Sequence, residues 1–546
     1  MPILPPGVSQ RDFDAAIAQF QTAIGRDWVF TTDADVALYR DAYSPMWGQP
    51  EEKLASAAVA PDSVEQVQQI VRTANTYKIP LFPISTGKNL GYGGSAPNLT
   101  GSVVVDLKRM NRILEVDDKR HYALVEPGVA YFDLYRYVQE RNLNVWIDCP
   151  DPGWGSVVGN ALDHGVGYTT SQFRNHFGAH CGLEVVLPNG DVMRTGMGAV
   201  PGAKNWQDYP FGFGPTVDGL FAQGNYGIVT KMGIWLMPAP EAYTSGTVTV
   251  AKHDDLIRLV EGVNALENAG VTNGMPNFGF VLRGGGGPGQ GGQGPANQEL
   301  NALLTPRPDG SVDIAALDRF AAANNRAFWS TRLQFYGPRA VVAAQWEYAK
   351  AKLGEIPGAR ATDGPSYSLP LTPEQQATVQ QVAFGIPNMS IFSIGARSDN
   401  NPTPSSGHIW FSPLIPRTGE GMLEAQRALW RIGQEVGIPF NRWATPSTYY
   451  SRAFFYLVAV SITRNAETDT RNRAAFRRFV QLAGAQGYAE YRTAPAFQDD
   501  VMDVYSFNNN ALRRFCEALK EGVDPNGIMA PGRSGIWPKR HPRPRA

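Results

Sequence analysis

The residues able to do chemistry in this 546-residue chain fall into a few short segments. Residues 83–94, PISTGKNLGYGG, are rich in glycine. Without Cβ atoms such a backbone can turn its N–H groups inward and cradle an anion such as a phosphate. The segment is not a Walker A loop, because no Gly-Lys-Ser/Thr order occurs, nor is it a G-x-G-x-x-G dinucleotide fingerprint. As a bare pattern it reads as a pyrophosphate cradle or as a structural turn. Residues 148–160, DCPDPGWGSVVGN, set Asp148 and Asp151 on either side of Cys149-Pro150 and then supply small residues. That suits backbone passing close to a ligand, and it equally suits a turn carrying solvated acids. His176 and His180 stand four apart, a spacing that can share one helical face around a metal. No acidic third ligand lies at a matching spacing and only seven histidines exist, so no metal site is expected. No G-x-S-x-G nucleophile elbow is present. Tyr491-Arg492 and His408, the latter in GHIWFSP (407–413), complete the set. Read alone, they are a surface ion-pair residue and a packed core histidine.

The elements that must position these residues are mixed. Phe13, Ala16, Ile17, Phe20 and Ile24 follow i, i+3, i+4 spacing, and Val64, Val67, Ile70 and Val71 repeat it after a cap at Asp62-Ser63. Residues 79–84, 102–106, 122–126 and 183–187 read as strands, with Pro188-Asn189-Gly190 turning the last into 192–195. Helices are expected at 131–139 and 254–269, and a strand at 245–250. With no regular βαβ repeat, the fold class is α+β rather than doubly wound. Composition agrees with an ordered globular chain: hydrophobic residues make 43%, charged residues 18%, and Gly plus Pro about 18%, below the roughly 25–30% of low-complexity chains. The formal charge of −1, with no basic cluster beyond a short C-terminal tail, argues against nucleic acid as a partner. Three cysteines exclude a disulfide framework. No signal sequence and no 18-residue apolar stretch is visible, so a cytoplasmic protein without a membrane partner is expected. The glycine-rich 284–294 run reads as a flexible surface loop.

In order, PISTGKNLGYGG, VVDLKRMNRILEV, ALVEPGV, SVVGNALDHGVGYT, GLEVVLPNGDVMRTGMG, GIVTKMGIWLM, YAEYRT and DPNGIMAPGRSGIW resemble the vanillyl-alcohol oxidase / p-cresol methylhydroxylase family of flavoproteins, in motifs nearest its eugenol-oxidase type. The resemblance spans nearly the whole chain. It implies a two-domain FAD-binding fold: residues 1–240 and the returning 484–546 would hold FAD, and an α+β cap at 241–483 would shape the substrate cavity. By the same resemblance Ser85, Thr86, Gly87, Lys88, Asn89, Leu90 and Gly91 wrap the FAD pyrophosphate. Pro150, Gly155, Ser156, Gly159, Asn160, Gly227, Ile228, Val229 and Arg533 line the cofactor. His408 falls where histidyl members attach the flavin covalently.

The family oxidises phenols with a para-alkyl or para-hydroxymethyl group. The resemblance places Tyr92, Tyr491 and Arg492 at the phenolate subsite and Asp151 as the acid/base near the flavin. It implies hydride transfer from the benzylic carbon to flavin N5 through a p-quinone methide. Pro150-Asp151 matches the oxidase type, so oxygen is the expected acceptor; a dehydrogenase or hydroxylase using a cytochrome or another acceptor is the alternative. A flavin protein that only binds ligands is a further alternative, and the retained Tyr92, Asp151, Tyr491 and Arg492 speak against it. The family favours a homodimer or a multiple of one. The chain departs from its relatives at 168–176, YTTSQFRNH, which is longer by two residues, and at Arg452-Ala-Phe-Phe-Tyr456. Both lie where substrate contacts are expected, which points to a cavity altered for a bulkier 4-substituted phenol.

Overall fold

The computed structural model describes residues 3–544 except 273, 275, 283–294, 391–406, 446 and 451; the 284–294 run therefore lies outside the described residues. The first layer forms where the spacing places it. Helix Gln10–Ile24 buries Phe13, Ala16, Phe20 and Ile24, and the Ser9 hydroxyl caps it by accepting the Asp12 N–H. Helix Val64–Tyr77, capped by Ser63, buries Val67, Ile70, Val71 and Ala74. Both pack into one core with strands Ala57–Val59, Val103–Asp106 and Leu81–Ile84. Those strands run parallel to one another, with Val29–Phe30 antiparallel at one edge.

The other edge strand, Leu81–Ile84, sets up the site. Its carboxyl end opens directly into the 85–94 loop, the end of a parallel strand where ligands characteristically bind. Its outer backbone edge is covered by the returning C-terminus: Leu81 N–H donates to Ile528 O and Ala530 N–H donates to Leu81 O. Pairing off an exposed edge in this way removes an aggregation hazard, and it carries 530–535 to the mouth of the loop.

A second, antiparallel sheet has the order Ile113–Asp117, Tyr122–Val125, Ile228–Trp235, His180–Val186, Val192–Arg194. Its last hairpin turns at Gly190, where φ is +86°, a left-handed conformation that favours glycine. Val186 and Ile228 of this sheet join the core of the first, so the two sheets meet along a shared seam. A third, four-stranded antiparallel sheet, Phe278–Phe280, Trp329–Gly337, Ala242–Val250 and Arg360–Ser368, packs with helices Asp255–Asn268, Arg339–Gly354 and Gly419–Val436 around the largest hydrophobic cluster. Strand Gly407–Phe411, which carries His408, pairs with Val458–Ile462. The architecture is α+β. Among the described residues no helix is long and apolar enough to cross a membrane.

Candidate active site

A cleft of about 1020 Å³ lies along the seam of the first two sheets. Ser85, Thr86, Gly87, Lys88 and Asn89 form one wall; Pro150, Asp151, Gly155, Ser156, Gly159 and Asn160 form another; Gly227, Ile228, Val229 and Arg533 complete it. Close backbone packing shapes the walls. Gly87 has φ +64° and a Cβ there would overlap the Ser95 hydroxyl, while a Cβ on Gly159 would overlap the Ser85 hydroxyl. The Ser156 hydroxyl is consumed within the wall, accepting Gly159 N–H and donating to Pro127 O at 2.6 Å. Lys88 is exposed and its Nζ lies 5.1 Å from the Trp154 ring centroid.

Arg533 is the buried cation among the described residues that line this cleft. Its guanidinium lies 5.2 Å from the Phe82 ring centroid, and its buried Nε has no hydrogen-bond partner among the described residues. Burial lowers its pKa from the ordinary arginine value, with Asp163 and Asp41 opposing. A buried cation with an unused donor beside a glycine-rich loop fits a phosphate-bearing cofactor.

After Asn89 the chain forms a 3₁₀ turn, Leu90–Tyr92; Gly91 does not line the cleft, and the wall resumes at Gly93 and Gly94. The turn lies against strand Gly407–Phe411: a Cβ on Gly91 would come within 2.6 Å of Trp410 Cδ1 and 3.0 Å of His408 Cδ2. His408 is buried there, with its ring centroid 4.6 Å from that of Trp410 and 5.3 Å from that of Tyr43. It is not on the cleft wall but beside the loop that leaves it.

The same turn delivers Tyr92 to Tyr491 and Arg492. The Arg492 guanidinium carbon lies 3.7 Å from the Tyr92 ring centroid and 5.3 Å from that of Tyr491. Arg492 Nη1 donates to Asp163 O at 3.1 Å and to Asp163 Oδ2 at 3.0 Å, and Asp163 also accepts from Asn89 in the cleft wall. Arg492 Nε is buried without a partner among the described residues. Burial works against its charge, but Tyr491, Tyr92 and Asp163 outweigh it and raise its pKa. Burial raises the pKa of both tyrosines, against the pull of Arg492. Both hydroxyls therefore stay protonated and keep a hydrogen to donate. Tyr92 OH lies 2.6 Å from Ser412 Oγ, and Ser412 N–H donates to buried Glu490 at 2.9 Å. A second cavity, about 800 Å³, reaches Tyr491 and Arg492 from the side of Glu490, Tyr505 and His164.

Asp151 stands on the cleft wall and accepts a hydrogen bond from Ser390 Oγ at 2.8 Å. Asp148 is different. It is buried, 2.9 Å from His176 Nε2, and accepts from the Thr169 N–H and hydroxyl, so the reading of both acids as solvated fails for it. His176 and His180 do not converge: His180 begins a strand and pairs with Asp218 at 3.2 Å. Of the divergent segment at 452–456, Phe455 meets the site, its ring centroid 4.7 Å from that of Tyr491.

Sequence reasoning missed Asp163, Ser412 and Glu490. Asp163 and Glu490 stand inside SVVGNALDHGVGYT and YAEYRT, but spacing carries no sign of their partners.

Residues 55–196 match a family model described as an FAD binding domain. Over 98% of both chains the sequence is 33% identical to the flavoprotein subunit of 4-cresol dehydrogenase (hydroxylating) from Pseudomonas putida. The fold is similar to the solved 4-ethylphenol oxidase from Gulosibacter chungangensis in complex with isoeugenol: TM-score 0.79, 34% identity, covering 98% of this chain and 99% of that one. It is similar as well to p-cresol methylhydroxylase with substrate bound, with TM-score 0.80 and 31% identity over 98% and 99% of the two chains.

Proposed function

The chain belongs to the vanillyl-alcohol oxidase / p-cresol methylhydroxylase family of FAD flavoproteins, and from that premise we propose that it oxidises phenols carrying a para-alkyl or para-hydroxymethyl group at the benzylic carbon, with oxygen as final acceptor. The observation that carries the reading is the convergence of Tyr92, Tyr491 and Arg492. Residues 1–240 and 484–546 form the FAD-holding part of the molecule, and 241–483 form the cap. The pairing of Leu81 with 528–530 and the separate third sheet support that division.

When bound, FAD supplies the acceptor for the hydride that leaves the benzylic carbon. Ser85 to Asn89, Gly155 to Asn160, Gly227 to Val229 and Arg533 hold the cofactor, with His408 as its covalent anchor. Loss of hydride leaves a cation that is prohibitive unless the ring oxygen is a phenolate, and a free phenol titrates near 10. Arg492 supplies the opposing charge and the neutral Tyr92 and Tyr491 hydroxyls donate to the anion. The product of hydride loss is a p-quinone methide. Asp151 takes a proton from the water that adds to its benzylic carbon, restoring the phenolate. Phe455, packed on Tyr491, brings the segment where the chain departs from its relatives to the subsite.

A second reading keeps the chemistry and changes the acceptor, because one relative is named as a dehydrogenase and another as an oxidase. The test is a screen of para-substituted phenols with peroxide detection, run in parallel with an artificial electron acceptor. Turnover with stoichiometric peroxide is expected. Slow reoxidation of substrate-reduced enzyme in air would favour the dehydrogenase, and no turnover on any phenol would overturn the proposal.

A further inference from the structure

Glu490 is a buried carboxyl inside the subsite for which the chemistry above has no use. An antiparallel bridge between Pro413 and Glu490 brings it to Ser412, whose N–H donates to Oε1 at 2.9 Å. Ser412 Oγ in turn lies 2.6 Å from Tyr92 OH, and Tyr505 OH donates to the Glu490 carbonyl at 2.6 Å. Glu490, Tyr491 and Arg492 line one cavity with His164, Gln223, Thr493, Gln498 and Tyr505.

The charges facing this point can be counted. Arg492 is positive and Asp163, 3.0 Å from it, is negative; Asp163 also faces Arg533 of the cofactor cleft, a cation that Asp41 faces in turn. Burial keeps Tyr92, Tyr491 and Tyr505 protonated and pushes His164 toward its neutral form. Thr493, Gln223, Gln498 and Ser412 carry no charge. With the two arginines balanced by the two aspartates, the set is neutral if Glu490 is protonated and carries −1 if it is ionised. A phenolate is tolerated in the first state and repelled in the second.

We propose that Glu490 serves the phenolate subsite as a neutral carboxylic acid, and that its ionisation sets the alkaline limit of phenol oxidation. The inference rests on the phenol-oxidising reading. Removal from water holds the carboxyl protonated well above the usual carboxylate range, with Ser412 N–H and Thr493 offsetting part of the effect. The residue is a positioning residue: it acts through Ser412 and through charge, and the cavity beside it gives the route by which its proton exchanges with water.

The test compares wild-type holoenzyme with Glu490→Gln, which keeps the acceptor for Ser412 N–H. Anaerobic flavin reduction by 4-ethylphenol is followed across pH. The acid limb, set by ionisation of the bound phenol, is expected to stay in place. The alkaline limb should move up by about one unit or more, leaving the variant about tenfold faster one unit above the wild-type limit. Two unmoved limbs would overturn the proposal. An acid limb shifted downward would overturn it too, since Glu490 would then be ionised in the resting enzyme. A variant that does not fold leaves a wild-type measurement: binding of 4-ethylphenol relative to its methyl ether, which should weaken on the alkaline side. A ratio constant with pH would refute the role. If neither enzyme is reduced by any phenol, the functional reading has failed, and the role of Glu490 fails with it.

Discussion

Arg492→Gln removes the cation of the subsite while keeping polar bulk. An anion about 4 Å from the guanidinium, at an effective dielectric of roughly 20, gains on the order of 4 kcal/mol, or about 3 pK units. Asp163 Oδ2 lies 3.0 Å from Nη1; for an anion on the far side of the guanidinium, roughly 7 Å away, it takes back about 2.4 kcal/mol, close to 1.7 units. The guanidinium alone therefore brings the phenol only part of the way down. The two tyrosine hydroxyls supply the remainder as hydrogen bonds to a charged group, about 1.5–3 kcal/mol each. In Arg492→Gln the arginine contribution vanishes while Asp163 stays, so the apparent pKa of the bound phenol should rise by about 3 units. Flavin reduction near neutral pH should fall on the order of 10³-fold. Adding Asp163→Asn should recover on the order of 10–50-fold by removing the opposing charge. The assay is anaerobic stopped-flow reduction of the flavin by 4-ethylphenol, with the absorbance of the bound phenolate followed across pH. A single variant within tenfold of wild type with unshifted phenol ionisation would refute the electrostatic account, and so would a double variant no faster than the single one.

Three further outcomes are expected. His408→Ala should keep FAD without covalent attachment; on a denaturing gel the wild-type band should fluoresce and the variant band should not, and an unlabelled wild-type band from yellow protein would refute the anchor. Gly159→Ala, whose Cβ would overlap the Ser85 hydroxyl, should force that hydroxyl into the cleft. In a His408→Ala background it should weaken FAD about tenfold and cost about 1–3 kcal/mol, read by flavin titration of apoprotein and by Tm. Lys520→Met should cost about 3–5 kcal/mol, because buried Lys520 Nζ donates to Asn225 O at 2.7 Å and Met529 O at 2.6 Å beside Asp524; denaturant unfolding unchanged within 1 kcal/mol would contradict that role.

What the sequence discloses is what is local. The first helix announces itself by its period, the helix after Ser63 by cap and period, and the 188–190 turn by its Pro-Asn-Gly. The loop at 85–94 is legible because its glycines at 87, 91, 93 and 94 have few other reasons to cluster directly after a strand. Gly91 sits in the same motif yet lies against strand Gly407–Phe411, while Gly93 and Gly94 are back on the cleft wall, and spacing alone does not show which residues of a loop meet its ligand. The charge balance is illegible for a different reason. Asp163 meets Arg492 across 329 residues of chain and Tyr92 meets Ser412 across 320, so neither pairing has a periodic or positional signature. The two acids at 148 and 151 look equivalent in sequence. Only packing against His176 and Thr169 makes one structural and leaves the other on the cleft wall.

The central claim is that Arg492, Tyr92 and Tyr491 activate a phenol by holding it as its anion. Its most direct measurement is anaerobic mixing of the holoenzyme with 4-ethylphenol and, separately, with the methyl ether of 4-ethylphenol, which presents the same benzylic carbon but cannot ionise. The account predicts prompt loss of the oxidised-flavin absorbance with the phenol and none with the ether. Equal reduction by both, or by neither, would contradict it.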